Sequence, residues 1–175
     1  MPQGVGNALR YAFENLNAGK RLISLDLKSD EGRETLLALA DKADVLFDNF
    51  SPGTLDGLGL GPAVLRARNP RLVYGQGTGY GTSGPARDNV AMDLTVQAHM
   101  GVMDVTGFPS SPPVKAGVAF MDFMAGVHLY AAIVTALVEA PRTGVGRVVE
   151  IAMAEACLCA PASRLLETLR PSVND

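Results

Sequence analysis

An α/β fold is predicted for this 175-residue chain, with an open, mostly parallel sheet and helices on both faces. Two observations predict it. Short apolar, β-rich runs alternate along the chain with longer stretches whose apolar residues recur at helical spacing. The intervals between successive runs are long enough for helical crossovers, which parallel neighbours require and which are right-handed. With 47% apolar residues the chain has the material for a core.

The elements follow in order. RLISLDL, residues 21–27, is partly alternating and reads as a strand. Ser29 and Asp30 offer an N-cap to a helix through EGRETLLALADKA, where Leu36, Leu37, Leu39 and Ala40 fit one face. VLFDNF, residues 45–50, reads as a second strand, broken by Pro52 and Gly53. A short helix is expected over residues 62–68 and a third strand over 72–76. A flexible glycine-rich loop, residues 77–85, and a helix over 91–105 come next. After a Pro/Ser loop at 107–113, a long apolar helix is expected over 120–140. A turn at 143–146, a fourth strand RVVEIAM and a helix over 154–169 complete the chain. In such sheets ligands bind beyond the carboxyl ends of the strands, here at 26–28, 48–50 and 76–79.

Composition narrows the function. A net charge of -3 without a basic face argues against nucleic acid as a partner. The apolar stretch 117–138 is interrupted by Asp122 and His128, so a buried core helix is expected rather than a membrane span. The N-terminus lacks the plan of a secretory signal. Cys157 and Cys159 lie one residue apart, a spacing of neither a zinc site nor a redox pair, which fits a reducing cytoplasm. No metal site is expected.

Several constellations carry chemistry. Asp122 stands in GVAFMDFMAG among Phe120, Met121, Phe123 and Met124. A carboxylate in apolar surroundings needs a stabiliser, and the start of a long helix supplies one. So placed it is either a nucleophile that forms an acyl anhydride or a plain helix N-cap. Lys28, closing Leu25-Asp26-Leu27-Lys28, is either a phosphate contact or part of a solvated turn. Asn49 and Phe50 either meet an adenine or set an ordinary Asn-Pro-Gly turn. GQGTGYG, residues 75–81, is spaced too evenly for a dinucleotide fingerprint. His99 and His128 have no metal-ligand partner at helical spacing, and no serine elbow is present.

Taken together, LNAGKRLISLDLKSDEGRETLLALADKADVLFDNFSPGTL, LGLGPAVLRARNPRLVYGQGTGYGTSGP, DLTVQAHMGVMDVTGF, PPVKAGVAFMDFMAG and TGVGRVVEIAMAEA resemble the family III CoA-transferases (CaiB/BaiF type), the family of formyl-CoA transferase and α-methylacyl-CoA racemase. The resemblance covers residues 16–156. It implies a partial Rossmann-like large domain and transfer of CoA between an acyl-CoA and a carboxylic acid, through an aspartyl-acyl anhydride at Asp122. Coenzyme A enters as substrate, and no permanently bound cofactor is implied. Leu25, Asp26, Leu27 and Lys28, with Asn49 and Phe50, fall on CoA-contacting stretches, and Asp93 on the acidic position of a Tyr-Asp or Tyr-Glu pair beside the active site.

Three departures bear on activity. Met92 stands where the tyrosine of that pair is usual and where racemases carry an acid/base histidine, which favours transfer over racemisation. Gly57 stands where many members have an arginine that can reach CoA phosphate. Family chains are also longer, so this one reads as an internal fragment: residues 1–156 as part of the large domain, and 157–175 as a helix and tail towards a small domain. The family's glycine-rich active-site loop lies in that later part, so the isolated chain is expected to be inactive or a weakly CoA-binding remnant. A homodimer is expected of the complete enzyme.

Overall fold

Three parallel strands form one sheet in the computed structural model, which describes residues 11–158. They are β1 (Val45–Asp48), β2 (Val73–Thr78) and β3 (Val148–Ala152), adjacent in that order. The register aligns Val45 with Val73 and Tyr74 with Val148. A helical turn at 11–16 and helix α1 (Asp30–Ala40) precede the sheet. Between β1 and β2 lie α2 (Thr54–Gly57) and α3 (Pro62–Arg68). Between β2 and β3 lie α4 (Asp93–His99) and the 24-residue α5 (Phe120–Thr143). Helix α6 (Met153–Cys157) follows β3 directly.

Local chemistry explains most of these boundaries. Ser29 caps α1, its Oγ accepting from Gly32 N at 3.0 Å, with Asp30 and Glu31 in the first turn. Pro62 opens α3 at a position whose N–H would be unpaired anyway. Gly144 closes α5 as its C-cap.

Alternation along β2 sends its side chains into two separate cores. Leu72 and Tyr74 join Leu37 and Ala40 of α1, Leu55, Leu60 and Leu65. Val73 points the other way, to Leu129, Ile133, Ala136 and Ala140 of α5. Helices therefore cover both faces, as expected. Gly75 lets α5 lie close to the strand: a Cβ there would come within 2.7 Å of Ile133 Cδ1. A third cluster, Val96, Val102, Met121 and Cys157, packs where α5 begins.

The structure departs from the sequence expectations at several points. Residues 21–26 form no strand, and Leu22 and Ile23 are 67% and 65% exposed. A strand exists only by pairing, and among the described residues β1 pairs with β2 alone. The helix expected over 91–105 stops at His99, because Gly101 takes a φ of 74° and turns the chain. Helix α5 runs three residues beyond Ala140, through Pro141. In the last turn proline removes only one backbone hydrogen bond.

Nor is α5 a fully buried helix. Met121, Ala125, Leu129, Ile133, Ala136 and Ala140 are buried, whereas Phe123, Val127, Tyr130 and Val138 are exposed. By length and composition alone it would be long enough to cross a membrane. The short α2 was not legible from its four residues. Of the helix expected over 154–169, the part beyond 158 lies outside the described residues, as does Cys159.

Candidate active site

A cleft of about 710 Å³ opens beyond the carboxyl ends of β1 and β2. Asp48, Asn49 and Phe50 bring one wall, Thr78 and Gly79 the floor, Arg87 to Ala91 the rim, and Asp122, Ala125 and Gly126 of α5 the opposite wall. The strand-end crevice thus gathers Asp122, Asn49 and Phe50, three of the residues singled out in the sequence.

Asp122 is the third residue of α5, exposed and facing this cleft. It is not the helix N-cap. That position is Ala119, which makes no side-chain cap hydrogen bond. Asp93, at the first residue of α4, performs the capping from outside the helix. Its Oδ2 accepts Met121 N at 2.9 Å and its Oδ1 accepts Gln97 Nε2 at 2.6 Å. Lys115 Nζ stands 3.6 Å from Oδ1. Asp93 is 7% exposed, so its charge acts over a short, poorly screened path. The Asp122 carboxyl is raised from its ordinary value, first by partial desolvation in the cleft and second by the Asp93 charge, with Lys115 pulling the other way. A carboxylate so placed is more basic than one in water, and correspondingly more nucleophilic.

Gln97 was not singled out in the sequence, yet it is fully buried and central. Its Nε2 donates to Asp93 and its Oε1 accepts Ala116 N at 2.9 Å, tying the segment before α5 to α4. The Asp93/Gln97 spacing of four residues on one helix was the available signal. Met92, at the N-cap of α4, is 64% exposed and is not among the cleft-lining residues.

The other wall rests on a second buried pair. Tyr74 Oη donates to Asp48 Oδ2, and Asp48 Oδ1 accepts Phe50 N at 3.0 Å. Tyr74 is 1% and Asp48 9% exposed. Burial, reinforced by the hydrogen bond to Asp48, pushes the Tyr74 phenol well above its ordinary value, so it stays a donor. This pair fixes the turn that carries Asn49 and Phe50.

The glycine-rich loop, expected to be flexible, is tied down instead. Thr78 Oγ1 accepts Gly81 N at 2.9 Å, and the Glu150 carboxylate of β3 accepts Thr82 N at 2.6 Å and Thr82 Oγ1 at 2.7 Å. Leu25, Asp26, Leu27 and Lys28 are not brought to the cleft lining. They form the turn before α1, where Asp26 Oδ1 accepts Lys28 N at 3.0 Å and Leu27 packs against the α1 core.

The profile of CoA-transferase family III matches residues 1–174. The chain belongs to this family. As a family III CoA-transferase chain it is 39% identical over 155 residues to the acetyl-CoA:oxalate CoA-transferase of Acetobacter aceti, a match covering 88% of this chain and 40% of that protein. It is 36% identical over 159 residues to the probable fatty acyl-CoA transferase Rv3272 of Mycobacterium tuberculosis, covering 91% and 40%. The crystal structure of Rv3272 superposes with a TM-score of 0.84 at 35% identity, over 90% of this chain and 45% of that one. A CaiB/BaiF family protein from Brucella suis gives 0.83 at 38% identity, over 87% and 40%. The family III chain thus spans about two fifths of the length of these curated relatives.

Proposed function

We propose that this chain carries the nucleophile and part of the CoA-binding cleft of a CoA-transferase acting between an acyl-CoA and a carboxylic acid. The observation that carries the reading is that Asp93, not Asp122, caps α5, which leaves the Asp122 carboxylate facing the cleft. One Asp122 oxygen attacks the thioester carbonyl. The C–S bond breaks, CoA leaves as thiolate, and a mixed anhydride remains. The acceptor carboxylate then attacks the substrate carbonyl of that anhydride, freeing Asp122. CoA thiolate attacks the new substrate anhydride and releases the first acid with the second acyl-CoA. Backbone N–H donors must stabilise the tetrahedral oxyanions.

Asn49 and Phe50 are assigned to the nucleotide part of CoA, with Leu25 to Lys28 as an outer contact beyond the cleft. The relatives' names point to small dicarboxylates such as oxalate, succinate and glutarate as acceptor chemistry. A cytoplasmic homodimer that needs no metal or membrane completes the proposal.

The 175 residues tested by themselves are expected to give little sustained turnover, because they span two fifths of their relatives. The test is therefore a single turnover. Mixed with acyl-CoA, the chain should release free CoA thiol up to its own concentration, and the Asp122→Asn protein should not. Thiol release equal in both proteins would remove Asp122 from the mechanism. Racemisation is the second reading, disfavoured by Met92 in place of an acid/base histidine. Exchange of the acyl α-proton in deuterated water without thiol release would favour it.

A further inference from the structure

The cleft contains a group that the transfer chemistry at Asp122 does not use. Arg87 lies on its rim, in the loop between β2 and α4, and among the described lining residues it is the one Lys or Arg. Three carboxylates line the same cleft: Asp48, Asp88 and Asp122. Asp48 is already occupied by Tyr74 and the backbone of Phe50.

The guanidinium of Arg87 is poorly satisfied where it stands. Its Nε is buried without a hydrogen-bond partner among the described residues. Its ion pair with Asp88 is long, 3.8 Å, and the Asp88 side chain is 84% exposed. Screening by water leaves such a pair nearly without value. The stem is anchored, since Arg87 N donates to Gly84 O at 3.3 Å and the next turn is closed by Asn89 N to Ala86 O at 3.0 Å. The head lies beside the turn that follows β1. A Cβ on Gly53 would sit 3.4 Å from Arg87 Nη2, and Gly53 holds a φ of 82° that other residues rarely adopt. The Arg87 head therefore stands beside the turn that presents Phe50, with donors left over.

We infer that Arg87 is an oxyanion-binding residue of this cleft, and that its ligand is a phosphate of the CoA moiety held beside the Asn49–Phe50 turn. A guanidinium fork matches phosphate and carboxylate alike, so the shared chemistry is an oxyanion with two acceptor oxygens. The phosphate assignment follows from position, on the Phe50 side of the mouth. It also follows from charge: a cleft with three carboxylates repels a polyanionic ligand unless a cation receives it. This inference rests on reading the cleft as an acyl-CoA site.

Calorimetric titration of the full 175-residue chain and its Arg87→Met and Arg87→Lys forms tests it, with CoA, pantetheine and succinate as probes. The methionine keeps the apolar stem, and thermal unfolding checks that the fold is retained. Arg87→Met should bind CoA at least about tenfold more weakly, the scale of a lost charge-assisted hydrogen bond. Arg87→Lys should fall between, and the difference should vanish with pantetheine, which lacks phosphate. Loss of succinate binding with CoA binding unchanged would uphold the oxyanion site but overturn the phosphate assignment. Equal affinities throughout, or no binding of any probe by the native chain, would overturn the inference. Failure of the nucleophile reading would show separately, as thiol release equal in the native and Asp122→Asn proteins.

Discussion

Asp93 Oδ2 accepts the backbone N–H of Met121 at 2.9 Å, across 28 residues of sequence. One carboxylate thereby closes the start of α5 and leaves the next residue, Asp122, facing the strand-end cleft. Asp93→Ala would leave a buried N–H and Gln97 without their acceptor, at about 1–3 kcal/mol. Urea unfolding should show that loss, and Asp93→Asn, which keeps an acceptor oxygen, should lose less.

The same carboxylate contributes to the pH response. Partial desolvation and then the Asp93 charge raise the Asp122 pKa, so thiol release should rise with pH through a midpoint above the ordinary aspartate value. Asp93→Asn removes the charge and should move that midpoint to lower pH. A midpoint that stays in place would show that burial alone sets it.

Stability should respond in the opposite sense. Because the folded pKa of Asp122 is raised, its contribution is fully present below the unfolded value and is lost as pH rises through the folded value. Asp122→Asn should therefore melt higher than the native chain at neutral pH, and the gap should close in acid. Asp41 and Glu139 behave the other way. Hydrogen bonds from Arg68 and Arg147 lower their pKa values, so what they contribute is lost as pH falls. Both are exposed pairs, so the Asp122 effect should stand out above pH 4 or so, near the unperturbed carboxylate value.

Tyr74→Phe removes the phenol donor to Asp48 and leaves a buried carboxylate short of a partner. The expected loss is about 1.5–3 kcal/mol, the range for hydrogen bonds to charged groups, read by urea unfolding. CoA affinity should fall with it, because Asp48 also holds Phe50 N. A stability loss with unchanged CoA affinity would separate the pair from the cleft.

Gly75→Ala places a methyl 2.7 Å from Ile133 Cδ1. Overpacking of this kind costs about 1–3 kcal/mol. Ile133→Val removes that Cδ1, so the double variant should be less destabilised than the sum of the singles. Strict additivity, measured by a double-mutant cycle, would mean that the β2–α5 contact is not the reason for the glycine.

What was legible in the sequence was local. Ser29 before Asp30 and Glu31 marked α1, Pro62 marked α3, and the period of the apolar residues marked the strands and α5. What was not legible depends on partners far along the chain. The run 21–27 has the composition of a strand, but composition does not supply a ladder neighbour. Asp122 in its apolar setting offered both a cap and a nucleophile. That it is not the cap turns on Asp93, which a single-segment reading cannot place against Met121. Tyr74 and Asp48 are likewise 26 residues apart and meet only because β1 and β2 pair in parallel. Asn49 and Phe50 reached the cleft because strand ends do so in this class of sheet. Leu25 to Lys28 did not, because the segment that carries them never joins the sheet.

The most direct measurement is hydroxylamine trapping after mixing the chain with acyl-CoA, followed by mass spectrometry of its peptides. A hydroxamate on Asp122, absent from the Asp122→Asn protein, is the expected result, since hydroxylamine marks that side chain only where its carboxyl has been activated. A hydroxamate on another residue, or neither a marked Asp122 nor a free acyl hydroxamate while CoA thiol is released, would show that this side chain never bonds to the acyl group.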